Sequence, residues 1–131
     1  MNKIGDFFIS RGHSFRHAFN GWWYVLRTQR NAWIHAFIST FVILLAFLLH
    51  IALRDWAVLF LTIALVWTAE FINTALEAVV DLASPDHHPL AKVGKDVGAA
   101  AVLLASLAAI LVGLLILGPP LWDKLKFLVG R

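Results

Sequence analysis

Cysteine is absent from the 131 residues. That removes disulfides, thiolate chemistry and cysteine-held metals from consideration. Charge is scarce as well: 15% of the chain is Asp, Glu, Lys or Arg, against 60% hydrophobic residues. A small soluble domain must cover a large surface with polar groups. With a mean hydropathy of +0.78, this chain lacks the polar residues to do so. No GxxxxGKS/T loop and no HRD or DFG stretch occurs, which excludes the familiar soluble phosphate-binding designs. There is no basic repeat and no polar domain, so a nucleic-acid partner is not expected. No small-residue cleavage pattern precedes a mature domain, and the first long apolar run, starting near Trp33, is expected to stay in the protein. The expected class is an all-α integral membrane protein, a single domain over residues 1–131.

Three apolar runs supply the spans. Residues 33–49 give seventeen positions without formal charge, near the lower limit for crossing a bilayer. The second run covers 56–82 and the third 97–118. The turn HIALRDW between the first two is so short that they must be antiparallel neighbours. Pro85 and Pro89 are expected to bound a loop over 83–96, and Pro119 and Pro120 to end the third helix. Gly94 and Gly98, then Ala101, Ala105, Ala109 and Gly113, recur at intervals of four. Such small faces let membrane helices pack closely.

Ahead of the spans, residues 1–12 read as a loose or partly helical lead, and 14–30 as an amphipathic helix. Phe15, Phe19, Trp22 and Leu26 form its apolar stripe, with Arg16, Asn20, Arg27 and Arg30 off it and Ser14 as a candidate cap. A basic helix with two tryptophans suits the membrane surface; packing of its apolar face on the bundle is the other reading, and the two are compatible. Gly21 suggests close approach of a helix or ligand. Five of the eleven Lys and Arg lie in the first thirty residues. Lys92 and Lys95 bring seven to the side shared by the amino terminus and the 83–96 loop, against four on the other. The excess predicts that the amino terminus and loop are cytoplasmic, in a multi-pass inner-membrane protein.

The second run carries an unusual load. Its first fourteen residues, 56–69, have no formal charge; then come Glu70, Asn73, Glu77 and Asp81. At 3.6 residues per turn these four fall within an arc of roughly 80°. Desolvated carboxylates are expensive, so the stripe must face something wet, basic or metal-bearing. Depth sorts it: Glu70 lies toward the far edge of the hydrocarbon, while Glu77 and Asp81 emerge among headgroups. Close by in sequence, Asp86, His87, His88, Lys92, Lys95 and Asp96 crowd together. Carboxylates suit Mg²⁺ completed by substrate phosphates, Lys95 suits phosphate, and Glu70 suits a general base toward a lipid hydroxyl. The set permits phosphoryl transfer from a soluble nucleotide to a membrane alcohol. A proton-coupled carrier also needs a deep Glu, and a non-catalytic assembly subunit is a third reading; the charged 86–96 cluster favours the enzyme. His35 and His50, at the two ends of the first span, read as interfacial hydrogen-bonders.

The run EFINTALEAVVD fits E-x-x-N-T/S-A-I/L-E-x-x-V/I-D, and HPLAKVGKD fits H-x-L-x-x-x-x-K-D. With SFRHAFNGWW and RNAWIH upstream, the chain from Ser14 to Leu117 resembles the prokaryotic diacylglycerol kinase and undecaprenol kinase family. The resemblance implies a three-span membrane kinase with an amino-terminal surface helix, a homotrimer with sites shared between subunits, using MgATP on a lipid alcohol. It implies Glu70 as catalytic base and Glu77 as metal-binding carboxylate. Asn73 and Asp81 match motif positions near the site, Lys95 and Asp96 the nucleotide-contacting pair, and Asp86, His87 and His88 the stretch that touches nucleotide. His17, beside Arg16, matches the approach of the surface helix to nucleotide. Where the family often has a second metal-binding Glu, this chain has Gln29, which brings oxygen but no charge. Arg30, Asn31 and His35 resemble the undecaprenol kinase branch, with diacylglycerol as the alternative acceptor.

Overall fold

The computed structural model describes residues 3–86 and 88–130, with side chains from Arg11 onward. It contains four helices: α1 (Lys3–Thr28), α2 (Arg30–Leu49), α3 (Leu53–Ala83) and α4 (Pro89–Val129). The last three are long and apolar enough to cross a membrane, and α1 is the additional amino-terminal helix. The all-α reading with three spans and a preceding helix holds.

Boundaries differ where local signals met tertiary ones. The amino-terminal helix begins by Lys3, so it runs through Ser14, which is no cap. It stops one residue before Gln29, whose extended backbone (φ −103°, ψ 115°) separates α1 from α2. The chain turns after α2 at His50, held in the left-handed region at φ 52°, ψ 46°. Its N–H donates to the Phe47 carbonyl at 3.2 Å and that of Ile51 to Ala46 at 3.5 Å, the pattern that closes a helix C-terminus. His50 thus serves as a turn residue.

The expected loop over 83–96 shrinks to 84–88, because Pro89 opens a helix. A missing N–H does no harm in a first turn, and the His88 Nδ1 accepts from the Leu90 N–H at 3.2 Å, capping α4. Lys92, Lys95 and Asp96 are therefore helical. At the other end, Pro119 and Pro120 do not terminate α4; both lie inside it. They strip two N–H donors from the helix, a loss that membrane helices tolerate when neighbours hold the segment. Here Leu117 is buried with Ala46 and Leu59, and Lys124 Nζ donates to the Leu48 carbonyl at 2.8 Å. These contacts clamp α4 to the end of α2 on both sides of the prolines.

The principal packing is α3 on α4. Gly98 permits it: a Cβ there would collide with Asn73 Oδ1 and lie 3.2 Å from Leu76 Cδ2. Gly21 and Gly113 meet nothing within 4 Å, so neither marks a close approach within this chain. The stripe on α1 splits. Trp22 stacks on Trp67 at 4.7 Å and meets Phe71 edge-on at 5.1 Å, and Val25 is buried with Ala32 and Trp67. Phe15, Phe19 and Trp23 stay exposed. From Phe15 onward α1 thus packs one side on the bundle, through Trp22 and Val25, and presents Phe15, Phe19 and Trp23 outward.

Candidate active site

Helix α3 positions the central groups. Glu70 lies seventeen residues past Leu53, about 26 Å along the axis, hence toward the far side of a hydrocarbon layer about 30 Å thick. It is 1% exposed. Its backbone carbonyl accepts from the Thr74 hydroxyl at 2.9 Å, which is local helix geometry. Its side-chain Oε2 is buried without a hydrogen-bond partner. The nearest base is His35 on α2, with Nε2 at 3.9 Å from that oxygen, too long for a direct hydrogen bond. Buried polar atoms are nearly always paired, so this oxygen points to a role in chemistry.

Two turns on, about 10 Å along the axis, Glu77 is held by two amides. Gln29 Nε2 donates to its Oε2 at 3.0 Å, and Asn73 Nδ2 donates to its Oε1 at 3.1 Å. The amides orient the carboxylate without neutralising it. Asn73 is itself buried, and its Oδ1 lacks a partner. A further turn along, Asp81 accepts from Lys95 Nζ at 2.8 Å across α3 and α4. Lys95 stands on α4 ahead of its apolar run, and its ammonium is held above the usual lysine pKa, first by that hydrogen bond. Lys92 pairs with Asp96 at 2.7 Å. Asp81, Lys92, Lys95 and Asp96 line a depression of about 750 Å³ with Ser84, Asp86 and His88, of a size that suits a small-molecule ligand.

Of the residues singled out from sequence, Glu70, Asn73, Glu77 and Asp81 lie on one face as expected. Gln29 and His35 join them from the break between α1 and α2 and from the first turns of α2. Lys95 and Asp96 join through α4, Lys95 paired with Asp81 and Asp96 with Lys92. His88 is partly committed to capping α4, and Asp86 is exposed. Arg16, His17 and Asn31 are exposed and take part in no hydrogen bond or ion pair among the described residues. His87 lies outside the described residues. The roles of Lys92 and Gly98 do not show in the sequence, where Lys92 reads as a loop residue and Gly98 as one of a run of small residues. His35 likewise reads as separate from the carboxylates. Only the pairing of α2 with α3 brings that imidazole to Glu70.

The donor set constrains what a cation would find. Among the described residues no three His, Asp or Glu gather into a metal-binding group. Glu77 offers one carboxylate, and Gln29 beside it offers an amide oxygen once the amide is turned. Two hard oxygens fit Mg²⁺ when phosphates and waters complete the octahedron, the usual arrangement for this ion.

Taken together, the fold and site define a small polytopic membrane protein that buries one unpaired carboxylate within a span and gathers a polar, lysine-bearing depression at that span's end. The sequence pattern of the prokaryotic diacylglycerol kinase family matches residues 16–117. A diacylglycerol kinase of Synechocystis is 51% identical over 109 residues, 82% of this chain and 62% of that protein. An undecaprenol kinase of Bacillus subtilis is 39% identical over 120 residues, 92% of this chain and 94% of that protein. A diacylglycerol kinase of Escherichia coli is 35% identical over 98 residues, 67% of this chain and 78% of that protein. The chain belongs to the prokaryotic diacylglycerol kinase family and is a multi-pass membrane protein. The carrier and assembly-subunit readings give way to it.

Proposed function

We propose that this protein is a lipid kinase that transfers the γ-phosphoryl group of ATP to the hydroxyl of a membrane alcohol, undecaprenol first and diacylglycerol second. The observation that carries the reading is the unpaired Glu70 oxygen, buried in a span two turns from Glu77. A base placed so deep serves an alcohol that arrives through the bilayer, not a soluble one. The lipid hydroxyl gives its proton to Glu70 Oε2 as its oxygen bonds to the γ-phosphorus, and the bond from that phosphorus to the β–γ bridging oxygen breaks. The products are the phosphorylated lipid, ADP and a proton that Glu70 releases to water. Lys95, Asp81 and Asp96 with the His88 turn form the nucleotide side, and Asn73 holds Glu77 in orientation. Mg²⁺ bound by Glu77, Gln29 and the phosphates would supply charge stabilisation for the transferring group.

Undecaprenol is favoured because the Bacillus relative aligns over nearly the full length of both chains and because of Arg30, Asn31 and His35. The site faces the cytoplasm, where ATP is, in the inner membrane. The protein works as a homotrimer with sites shared between neighbours, which gives Arg16 and His17 on α1 a nucleotide or a partner to meet. The test is initial-rate phosphorylation of undecaprenol and of diacylglycerol with MgATP, comparing kcat/KM. The expected result is transfer to both with undecaprenol preferred, and loss of at least about 100-fold in Glu70→Gln with membrane insertion intact. A larger kcat/KM for diacylglycerol reverses the order of substrates. Near-wild-type transfer by Glu70→Gln removes Glu70 as base.

A further inference from the structure

Arg27 has no counter-charge in the chain. It is exposed near the end of α1, and among the described residues no carboxylate stands within ion-pair distance of it. From Arg11 to Arg30 the sequence holds four arginines and no Asp or Glu, so this stretch of α1 does not supply one. What Arg27 has instead is an aromatic face. Its guanidinium carbon lies 4.6 Å from the centre of the Trp23 ring, one turn back on the helix, and Trp23 is itself 57% exposed. A guanidinium placed over a ring is restrained there while its N–H donors stay free. That planar fork fits two oxygens of one phosphate.

The break between α1 and α2 fixes the depth of this pair. Gln29, two residues past Arg27, bonds Glu77 at 3.0 Å. Glu77 lies twenty-one residues past Trp56 on α3, about 32 Å along the axis. That is just beyond a hydrocarbon layer about 30 Å thick. Arg27 and Trp23 therefore stand in the headgroup layer, where lipid phosphates lie and where a tryptophan ring also settles.

We propose that Arg27, held over Trp23, is a binding site for the phosphate of an anionic phospholipid headgroup. Net charge selects the lipid: with no acid on this stretch of α1, nothing holds the choline or ethanolamine cation of a zwitterionic headgroup beside the phosphate. The site lies outside the groups assigned to phosphoryl transfer and does not depend on the kinase reading. An occupied site tethers the break that carries the Gln29 contact to Glu77.

The test titrates the full chain in a neutral detergent with phosphatidylglycerol or phosphatidylcholine and counts bound lipid by native mass spectrometry. One phosphatidylglycerol per chain is expected to be held in preference to phosphatidylcholine. Loss of any one basic residue at an anionic surface weakens binding about fivefold. Arg16→Gln, which removes the same charge from the same helix, should do no more than that, whereas Arg27→Gln should weaken binding at least about tenfold. Arg27→Lys should recover only part of the loss, because an ammonium restores charge but not the fork. Trp23→Leu should weaken binding about threefold. Both arginines are exposed, and matched helical content by circular dichroism checks that the variants fold alike. Equal losses in Arg16→Gln and Arg27→Gln, or full recovery by Arg27→Lys, overturn the proposal in favour of diffuse attraction. Equal retention of phosphatidylcholine overturns the choice of lipid. Displacement of the lipid by inorganic phosphate at equal concentration overturns the headgroup as ligand and leaves a site for free anions.

Discussion

Glu77 accepts from two neutral amides, Gln29 and Asn73, and among the described residues no lysine or arginine lies within ion-pair distance of it. No side-chain cation therefore competes for that carboxylate. Gln29 contributes only a dipole where a second carboxylate would contribute charge. Replacing it tests that difference. Gln29→Glu sets two carboxylates side by side, which repel without a cation and bind a hard one better. The expected outcome is a half-saturating Mg²⁺ concentration lower by roughly fivefold, about 1 kcal/mol for a partly exposed charge, measured by titrating activity with Mg²⁺ at fixed ATP. An unchanged half-saturation would place the metal away from Gln29. The identities of Glu70, Glu77 and Gln29 were all legible in the sequence. The hydrogen bond between residues 29 and 77 was not, because it joins groups 48 positions apart.

At the scale of elements, the α3–α4 contact turns on Gly98. Its missing Cβ lets α4 settle against Asn73 and Leu76, and that contact presses Asn73 into the orientation from which it donates to Glu77. Gly98→Ala must move one helix or turn the Asn73 side chain. Overpacking of this kind costs about 1–3 kcal/mol. The expected result is a lower unfolding midpoint in detergent together with reduced activity. Gly94→Ala is the control: a Cβ there meets Val80 Cγ2 at an ordinary 3.8 Å, so stability should hold. Equal stability for both variants would remove Gly98 from its role. The sequence showed the run of small residues on α4 but not which member touched a functional side chain. The same blindness explains the prolines. Pro119 and Pro120 read locally as a stop, yet Leu117 and Lys124 anchor the helix to α2 around them. Pro89 reads as a break too, and is instead the first residue of α4.

For the whole molecule, the charge bias and the three spans predict one topology, with α1 and the break between α3 and α4 on the cytoplasmic side and the break between α2 and α3 opposite. A chain without cysteine suits a direct check. Single cysteines at Ser84 (Ser84→Cys) and Arg54 (Arg54→Cys) would be treated with a membrane-impermeant maleimide. Only Arg54→Cys should label in intact spheroplasts, and Ser84→Cys should label in inverted vesicles. The reverse pattern would invert the protein and overturn the proposed cytoplasmic site.

The sequence by itself determined the class, the spans and the polar stripe. Apolar length and helical period are local properties, and a bilayer leaves a backbone few choices besides the helix. It also determined which carboxylate lies deepest, since depth follows from residue count along a helix. Tertiary structure alone decided the partners: His35 beside Glu70, Gln29 on Glu77, Lys95 on Asp81, Gly98 under Asn73. Each of those pairs lies on different helices or across a helix break. Their distances depend on how helices cross and rotate against each other, which side-chain packing sets and no single helix's periodicity encodes.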